Sequence, residues 1–249
     1  MNRIFHYTKI NTLKDILKTH SIRLNALKNM DDLLEGKSLD ELDFSNYYYA
    51  SSWTRDSKES IPMWYMYTDN MRGVRIEADE NFLVVDEDLR DGHVRNCIPD
   101  NVWAFKISGG QKNDFLVDVD YSDKKPQFWT GDPRGFISED CYNIGKVKPL
   151  VWDFQKEVRF RLQGISKKHI AKFGDTLFLK YMNAVINSYP NDVEHIDIQF
   201  ETSRWKNANF MLGPNTTFEE LEFVKSIVHK YIEDYEGKIE KSYLQIRFK

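Results

Sequence analysis

The chain has 249 residues, of which 30% are charged, 41% hydrophobic and 14% aromatic, and its net charge is −4. A chain of this length can bury a sizeable core, and we expect one domain over residues 1–249. The negative net charge differs from the strongly basic charge typical of nucleic-acid binders. The N-terminus is polar, and there is no apolar run of about 18 residues, so we expect neither a signal peptide nor a membrane span. The two cysteines, Cys97 and Cys141, have no metal-ligand spacing. We therefore expect a cytoplasmic protein with free thiols.

The chain opens with a predicted β-α-β unit. Residues 3–8 (RIFHYT) and 21–26 (SIRLNA) are predicted strands. Between them, Thr12 and Asp15 form a variant capping box, and the apolar stripe that follows predicts a helix. Residues 29–46 are acidic and rich in turn formers, which predicts a loop or a weak helix.

The remaining elements suggest an α+β fold, with helices flanking mainly antiparallel sheets. A helix is expected to start at a Ser57 or Ser60 cap, to hold Pro62 in its first turn and to end near Asn70. Two later helices are predicted over residues 175–188 and 216–237. The other predicted strands are 47–54, 72–78, 102–107, 115–121, 157–162, 195–200 and 243–248.

Several common enzyme motifs are absent from the sequence. The histidines show no HExxH spacing, which leaves a zinc hydrolase unsupported, and there is no GxxxxGK[ST] loop. The patterns GxGxxG and GxSxG are absent as well. The remaining candidates for chemistry are therefore isolated polar and aromatic residues.

Glu157 is the first of these candidates. Alternation along the predicted strand sends Glu157 and Arg159 to one side and Val158 and Phe160 to the other. Such a row of charges is usually a solvated or salt-bridged face. Alternatively, Glu157 is an anion beside a ligand, where it stabilises positive charge that develops in a transition state.

The predicted helix after Pro62 carries Trp64, Tyr65 and Tyr67 within one turn. Aromatic residues at helical spacing usually belong to the core. One helix face cannot cover all three rings, so we expect at least one to line a cleft, where it could stack on a planar ring.

The first three predicted strands carry polar residues that are candidates for a functional site. His6 alone is most often a structural residue. Arg23 lies between apolar neighbours and is expected to pair with a phosphate or with one of the carboxylates that follow it. Ser51 and Ser52 could donate hydrogen bonds at a cleft edge, or simply end a strand. The candidate carboxylate partners of Arg23 are Asp31, Asp32 and Glu35.

The chain resembles a widespread bacterial family, domain-of-unknown-function family 2971, in segments that follow one another in the same order. The family signatures are a YHYT-like start, NDPFEG, MWxHYAxxxxGVxI, KxxxWxxExEWR and a late LGP. The matching segments here are HYT, DDLLEG, PMWYMYTDNMRGVRI, VKPLVWDFQKEVRFRL and FMLGP. The chain departs from the signatures at Asp31, Leu33, Met66 and Val158.

The order of elements is also similar to that of ADP-ribosyltransferases, in particular the DarT-like toxins that modify nucleic acids. The segments FHYTKINTLKDIL and RDSKESIPMWYMY resemble the first strand and helix and the RSPMLY-like segment of those toxins. The class includes the mRNA-modifying toxin of a toxin–antitoxin–chaperone phage-defence system. The resemblance implies an ADP-ribosyltransferase-like split β-sheet with flanking helices. It also implies a glycosyltransferase activity that consumes NAD as a substrate and requires no metal.

The resemblance also implies residue roles. Glu157 would be catalytic and bind the nicotinamide ribose 2′-hydroxyl, and Tyr67, or else Tyr65, would stack on the nicotinamide ring. His6 would contact the ribose or the nicotinamide. The implied NAD contacts, with Arg55 and Arg23 as candidates for the pyrophosphate, are His6, Tyr7, Thr8, Arg23, Ser52, Arg55, Trp64 and Tyr65.

The resemblance favours RNA over DNA as the target, with an antitoxin protein as a further partner, although the residues themselves leave RNA, DNA and protein open. A single-stranded target could stack on Trp53, Tyr121 or Trp129. Residues 108–136 are a candidate recognition loop or a surface insertion. Two other functions are also compatible with the sequence: a catalytically inactive sensor of NAD or a related nucleotide, and an interaction protein of a defence operon.

Overall fold

The computed structural model describes residues 2–90, 92–107, 115–132, 134–135, 137–170 and 177–246. Its strands are β1 (Arg3–Thr8), β2 (Ser21–Ala26), β3 (Tyr48–Thr54), β4 (Val74–Asp79), β5 (Cys97–Ile98), β6 (Val102–Phe105), β7 (Leu116–Asp118), β8 (Asp120–Tyr121), β9 (Val147–Lys148), β10 (Glu157–Ser166), β11 (His195–Gln199), β12 (Asn209–Leu212) and β13 (Ile239–Lys241). Its α-helices are α1 (Ile10–Thr19), α2 (Ile61–Tyr67), α3 (Lys167–Ile170), α4 (Leu177–Ile186) and α5 (Phe218–Tyr231). The fold class is α+β, as predicted from the sequence.

The chain divides into two compact units. Unit 1 comprises residues 1–22, 53–84 and 199–249, and unit 2 comprises residues 23–52 and 85–198. The single domain over residues 1–249 stays a prediction.

Unit 1 is built on a sheet in which β4 is antiparallel to both β1 and β12, while β13 is parallel to β12. Helix α1 packs against α5, and α2 packs against β1. One face of the sheet is apolar, with Ile4, Ile76 and Phe210 fully buried. The opposite face carries Phe5 opposite Glu77, because successive residues of a strand point to opposite faces.

Unit 2 is organised around β10, which is antiparallel to β6 and to β7. The short strands β8 and β9 pair in parallel, and β11 pairs with β5. The core packs aromatic and aliphatic side chains from β3, β10 and α4. Its fully or almost fully buried members include Leu27, Phe44, Tyr47, Tyr48, Ile144, Ile165 and Val185.

The first helix begins earlier than its capping pattern predicts. Helix α1 starts at Ile10, and the carbonyl of Lys9 accepts the first helical hydrogen bond, from Leu13 N at 3.0 Å. Lys9 provides no side-chain cap, so the capping box predicted at Thr12 is wrong. The helix follows β1 almost directly, and it is the burial of Leu13 and its apolar neighbours that stabilises it.

Helix α2 follows its prediction at the start but not at the end. Ser60 accepts a hydrogen bond from Met63 N, and Pro62 lies in the first turn. The helix ends at Tyr67 rather than near Asn70. Asn70 and Met71 have φ values of 49° and 60°, and this left-handed conformation is incompatible with a continuing right-handed helix.

The late helices lie within their predicted ranges, but the last predicted strand is wrong over residues 243–246. Helix α5 begins with the capping box of Thr217 and Glu220. The final strand is β13, which ends at residue 241. After it, Ser242 Oγ accepts a hydrogen bond from Leu244 N at 3.1 Å, a local turn that competes with strand pairing. Residues 175–176 and 247–248 of these predictions lie outside the described residues.

The segment 29–46 forms turns and isolated bridges rather than a helix. Cys97 is buried and Cys141 is half-buried, and both are free thiols. None of the described helices combines the length and apolar character that crossing a membrane requires.

Candidate functional site

Four charged side chains meet in the interior of unit 2. Glu35, Lys148, Glu157 and Arg159 are 2%, 6%, 4% and 0% exposed, and we call them the charge cluster. Glu35 lies in the turns that follow β2, Lys148 ends β9, and β10 supplies the other two. Charged residues are almost never this buried unless they are paired, so their mutual geometry is informative.

Each cation of the cluster contacts both carboxylates. Arg159 donates from Nε to Glu157 Oε1 at 2.8 Å and from Nη2 to Glu35 Oε1 at 2.9 Å. Lys148 Nζ lies 2.8 Å from Glu157 Oε2 and 3.2 Å from Glu35 Oε1. Two positive and two negative charges therefore compensate one another without solvent.

Neutral groups fix the cluster from its edges. Lys148 Nζ also donates to Gln155 Oε1 at 3.0 Å, and Arg159 Nη1 donates to the carbonyl of Gly145 at 3.1 Å. The backbone N–H of Glu157 donates to the hydroxyl of Tyr121 at 2.7 Å. These contacts restrict the orientation of both charged groups of β10.

The alternation predicted for β10 is correct, but the charged face is not solvated. Arg161 lies on the same face as Glu157, is 2% exposed, and donates to the carbonyls of Tyr142 and Ile144 at 2.9 and 3.1 Å. The segment around these carbonyls covers the face. The strand is therefore buried along nearly its whole length, and the salt-bridged interpretation of Glu157 holds.

Burial alone would raise the pKa of Glu157. Arg159 and Lys148 more than offset that effect and hold the pKa below its ordinary value of 4.5, and a hydrogen bond with Ser52 acts in the same direction. Glu157 is therefore a buried carboxylate that stays ionised at neutral pH. Its negative charge is compensated inside the cluster by Lys148 and Arg159, which bind its two oxygens.

Ser52 and Glu157 are two predicted site residues that the structure brings together. Their side chains share a hydrogen bond. Ser52 is half-buried near the end of β3. Ser52 thus has a definite partner, Glu157, while the cleft edge expected beside Ser51 and Ser52 stays a prediction.

The histidine and the tyrosine of β1 point in opposite directions. His6 is half-buried and lies against Trp53, with ring centroids 5.0 Å apart. Trp53 is 1% exposed, which excludes it as an open stacking platform for a nucleic-acid base. Thr8, also buried, shares the face of His6, while Tyr7 lies on the other face.

Tyr7 and Trp64 belong to the packing between β1 and α2. Their rings make a T-shaped contact with centroids 4.8 Å apart, and Tyr7 Oη accepts a hydrogen bond from Ser60 N. Trp64 is fully buried, Tyr67 is half-buried and Tyr65 is 66% exposed. The helix therefore divides its aromatic residues between the core and the surface, and the cleft expected beside one of the rings stays a prediction.

The two arginines assigned to the pyrophosphate both pair with carboxylates. Arg23 donates to both carboxylate oxygens of Asp197 at 2.9 and 3.0 Å, so the partners predicted within residues 31–35 are wrong. Strand β11, which carries Asp197, could not be placed beside β2 from sequence spacing alone. Arg55 pairs with Glu80 at 2.7 Å.

Comparison with known proteins yields no match: no protein-family model, no curated protein and no solved structure is similar to the chain. Among the described residues, no group of three or more His, Cys, Asp and Glu side chains is arranged to hold a metal ion. The functional assessment therefore depends on the geometry of the site and on the sequence resemblance.

Sequence reasoning did not identify Glu35, Lys148 and Arg159 as members of one site. The available signal was the resemblance of two segments to family signatures, since Glu35 lies in DDLLEG and the other two lie in VKPLVWDFQKEVRFRL. Glu35 and Arg159, which form a contact between these two segments, are 124 residues apart along the chain. Of the other stacking candidates, Tyr121 and Trp129 are half-buried, and the start of the candidate recognition loop, residues 108–114, lies outside the described residues.

Proposed function

We propose that this protein is an NAD-dependent mono-ADP-ribosyltransferase, a bacterial phage-defence or toxin–antitoxin toxin that modifies nucleic acid, with RNA favoured over DNA. The observation that carries the proposal is that two signature segments meet in the charge cluster that contains Glu157. Glu35 from DDLLEG and Lys148 and Arg159 from the later segment all bind one another or Glu157. This arrangement supports the proposal, because the residue that the resemblance makes catalytic is one of the two carboxylates of the cluster.

The proposed reaction needs a buried, ionised carboxylate. The bond between ribose C1′ and the nicotinamide nitrogen breaks, nicotinamide leaves with the electron pair, and the ribose becomes oxocarbenium-like. A nucleophilic oxygen or nitrogen of the acceptor then bonds to C1′ and loses its proton. Glu157 stabilises the developing positive charge because Lys148 and Arg159 keep it ionised and oriented.

The remaining assignments depend on the resemblance. Tyr67 stacks on the nicotinamide ring, and His6 contacts the ribose or nicotinamide. Ser52, through its hydrogen bond with Glu157, is a positioning residue for that carboxylate. NAD is consumed as a substrate, and an antitoxin protein binds the toxin in the same operon.

The decisive experiment supplies isotopically labelled NAD with separate pools of RNA, single-stranded DNA and lysate protein. The wild type is compared with Glu157→Gln and with the matched control Glu233→Gln, an exposed glutamate. We expect label in the RNA pool with wild type and control, and none with Glu157→Gln. Transfer at the wild-type rate by a folded Glu157→Gln variant would overturn the mechanism, and label in the DNA or protein pool alone would overturn the RNA assignment.

A second function is favoured by one specific observation. Both carboxylate oxygens of Glu157 are bound by cations, and the residue is only 4% exposed, so the cluster resembles a structural core. A catalytically inactive sensor of NAD or a related nucleotide, or an interaction protein of a defence operon, would retain such a core. NAD binding in a calorimeter without release of nicotinamide supports the sensor, and absence of NAD binding excludes it.

A further inference from the structure

Unit 1 contains a groove of about 770 Å³ on the sheet face opposite to its apolar core. Three arginines, Arg3, Arg55 and Arg75, line it together with Phe5 and Glu77. We call it the arginine groove. Its volume is within the range of ligand-binding clefts, and among its charged lining residues the arginines outnumber the carboxylates.

Arg75 is the unusual member of the groove. It is 4% exposed, yet no carboxylate of the described residues lies within ion-pairing distance of it. Its Nη2 donates to the backbone carbonyls of Ser57 and Asp56 at 2.6 and 3.2 Å, and its guanidinium lies over the Phe5 ring at 4.0 Å. Within the described part of the chain, Nε is buried without a hydrogen-bond acceptor.

A buried cation without a counter-charge is costly, because transfer from water is offset only by a close anion with good hydrogen-bond geometry. The carbonyls and the Phe5 ring orient the guanidinium but do not neutralise it. An anionic ligand in the groove would supply the missing charge. A guanidinium is suited to phosphate, to which it can donate charge-assisted hydrogen bonds.

The shape of the groove favours an extended anion over a single phosphate. In the β1–β4 register, Arg3 lies opposite Asp79 and Arg75 lies opposite Tyr7. Four residues of β-strand span about 13 Å. Two arginine positions at this separation span more than one compact pyrophosphate, and Arg3 also pairs with Glu77 at 2.9 Å.

The groove is also on the other side of β1 from the histidine that the resemblance assigns to NAD. Phe5 faces the groove, and His6 occupies the opposite face with Trp53. The phosphate that binds here is therefore separate from the nicotinamide end of NAD. Arg55, which the resemblance assigns to the pyrophosphate, lines this groove.

We propose that the arginine groove binds the phosphodiester backbone of a single-stranded nucleic acid, the acceptor of the proposed transfer. This inference deepens the proposed function and rests on it for the identity of the ligand. A local groove also explains how a chain with a net charge of −4 could retain such an acceptor, since a few phosphate contacts supply most of the affinity.

The test is fluorescence anisotropy of a short labelled single-stranded RNA with the full chain. We compare wild type, Arg75→Gln, Arg55→Gln and the matched control Arg90→Gln, whose side chain is 87% exposed and pairs with Asp88. We expect Arg75→Gln to weaken binding about tenfold, as for the loss of one charge-assisted contact. Arg55→Gln should weaken RNA binding less. In each groove variant, the slope of log affinity against log salt concentration should decrease by about one, which corresponds to the loss of one phosphate contact.

Three outcomes overturn the inference. The first is equal RNA affinity in Arg75→Gln and Arg90→Gln. The other two are displacement of RNA by NAD and loss of NAD binding in the groove variants, because either result would make the groove a pyrophosphate site. If Arg75→Gln fails to fold, Arg55→Gln decides alone, because Arg55 is partly exposed. The assay requires no catalysis, so its result is independent of whether Glu157 supports transfer.

Discussion

Arg159 in unit 2 and Arg75 in unit 1 are both buried guanidinium groups, but only Arg159 has carboxylate partners. Arg159 lies 2.9 Å from Glu35 and 2.6 Å from Glu157. Arg75 contacts two backbone carbonyls and an aromatic ring, and no carboxylate among the described residues pairs with it. The first arginine completes a charge-balanced interior, while the second leaves a positive charge for a ligand to neutralise.

The difference predicts a large effect on stability at Arg159 and a small one at Arg75 for the same substitution. Removing one member of a compensated buried cluster leaves its partners buried and unpaired, which is strongly destabilising. Removing an uncompensated buried charge relieves a desolvation penalty. The comparison therefore separates a group that holds the fold together from one retained for binding.

The largest effect is expected for Arg159→Met. Glu35 and Glu157 would then share Lys148 as their only cation in the cluster, and we expect the free energy of unfolding to fall by about 3–5 kcal/mol. Urea unfolding followed by circular dichroism measures it, with Arg90→Met at an exposed position as the control. A loss no larger than that of the control would show that the cluster does not stabilise unit 2.

Replacing either carboxylate of the charge cluster should destabilise the protein less than Arg159→Met does. The two replacements should differ in their effect on transfer from NAD. We expect Glu157→Gln and Glu35→Gln each to lower the free energy of unfolding by about 1–3 kcal/mol, the penalty for weakening a buried charged hydrogen bond. Only Glu157→Gln should abolish transfer of label from NAD. Equal loss of transfer in both variants, at equal stability, would make the cluster a structural unit rather than a catalytic one.

The acid dependence of stability tests the ionisation of Glu157. Its pKa is lower in the folded protein than its usual value of 4.5 because Arg159 and Lys148 outweigh the effect of burial. The unfolded chain therefore binds the proton first as pH falls. The contribution of Glu157 is complete above about pH 4.5 and is lost as pH drops through the folded pKa.

The measurement is urea unfolding of wild type and Glu157→Gln from neutral pH into the acid range. Wild type should lose stability faster below about pH 4.5, so the difference between the two proteins should shrink there. A constant difference across the range would contradict an ionised, ion-paired Glu157 in the folded state.

Local patterns in the sequence were sufficient to predict much of the fold. Period-two alternation located β1 and β10, and the charged face of β10 was assigned correctly. A 3.6-residue apolar period located α1 and α5. Boundaries were less accurate because they depend on single residues, such as Asn70 with its left-handed backbone.

The site was predictable only in part, because its decisive contacts are long-range. Glu157 and Ser52 were singled out, but Glu35 reaches the cluster from 124 residues away along the chain. No local rule distinguishes the buried Arg75 from other arginines on alternating strands. Its special character arises only when β1, β4 and the residues after β3 come together.

Arg75→Met should have the smallest effect on stability and so sharpens the comparison most. Met replaces the charged side chain with an apolar one of similar length. The loss of two hydrogen bonds to carbonyls is then offset by removal of the free-energy cost of burying a cation. We expect the free energy of unfolding to change by no more than about 1 kcal/mol, in either direction, while RNA binding weakens about tenfold. Urea unfolding beside Arg159→Met measures the contrast. A loss of about 3 kcal/mol or more would mean that the carbonyl and Phe5 contacts make Arg75 a structural residue, and the two buried arginines would then belong to one class.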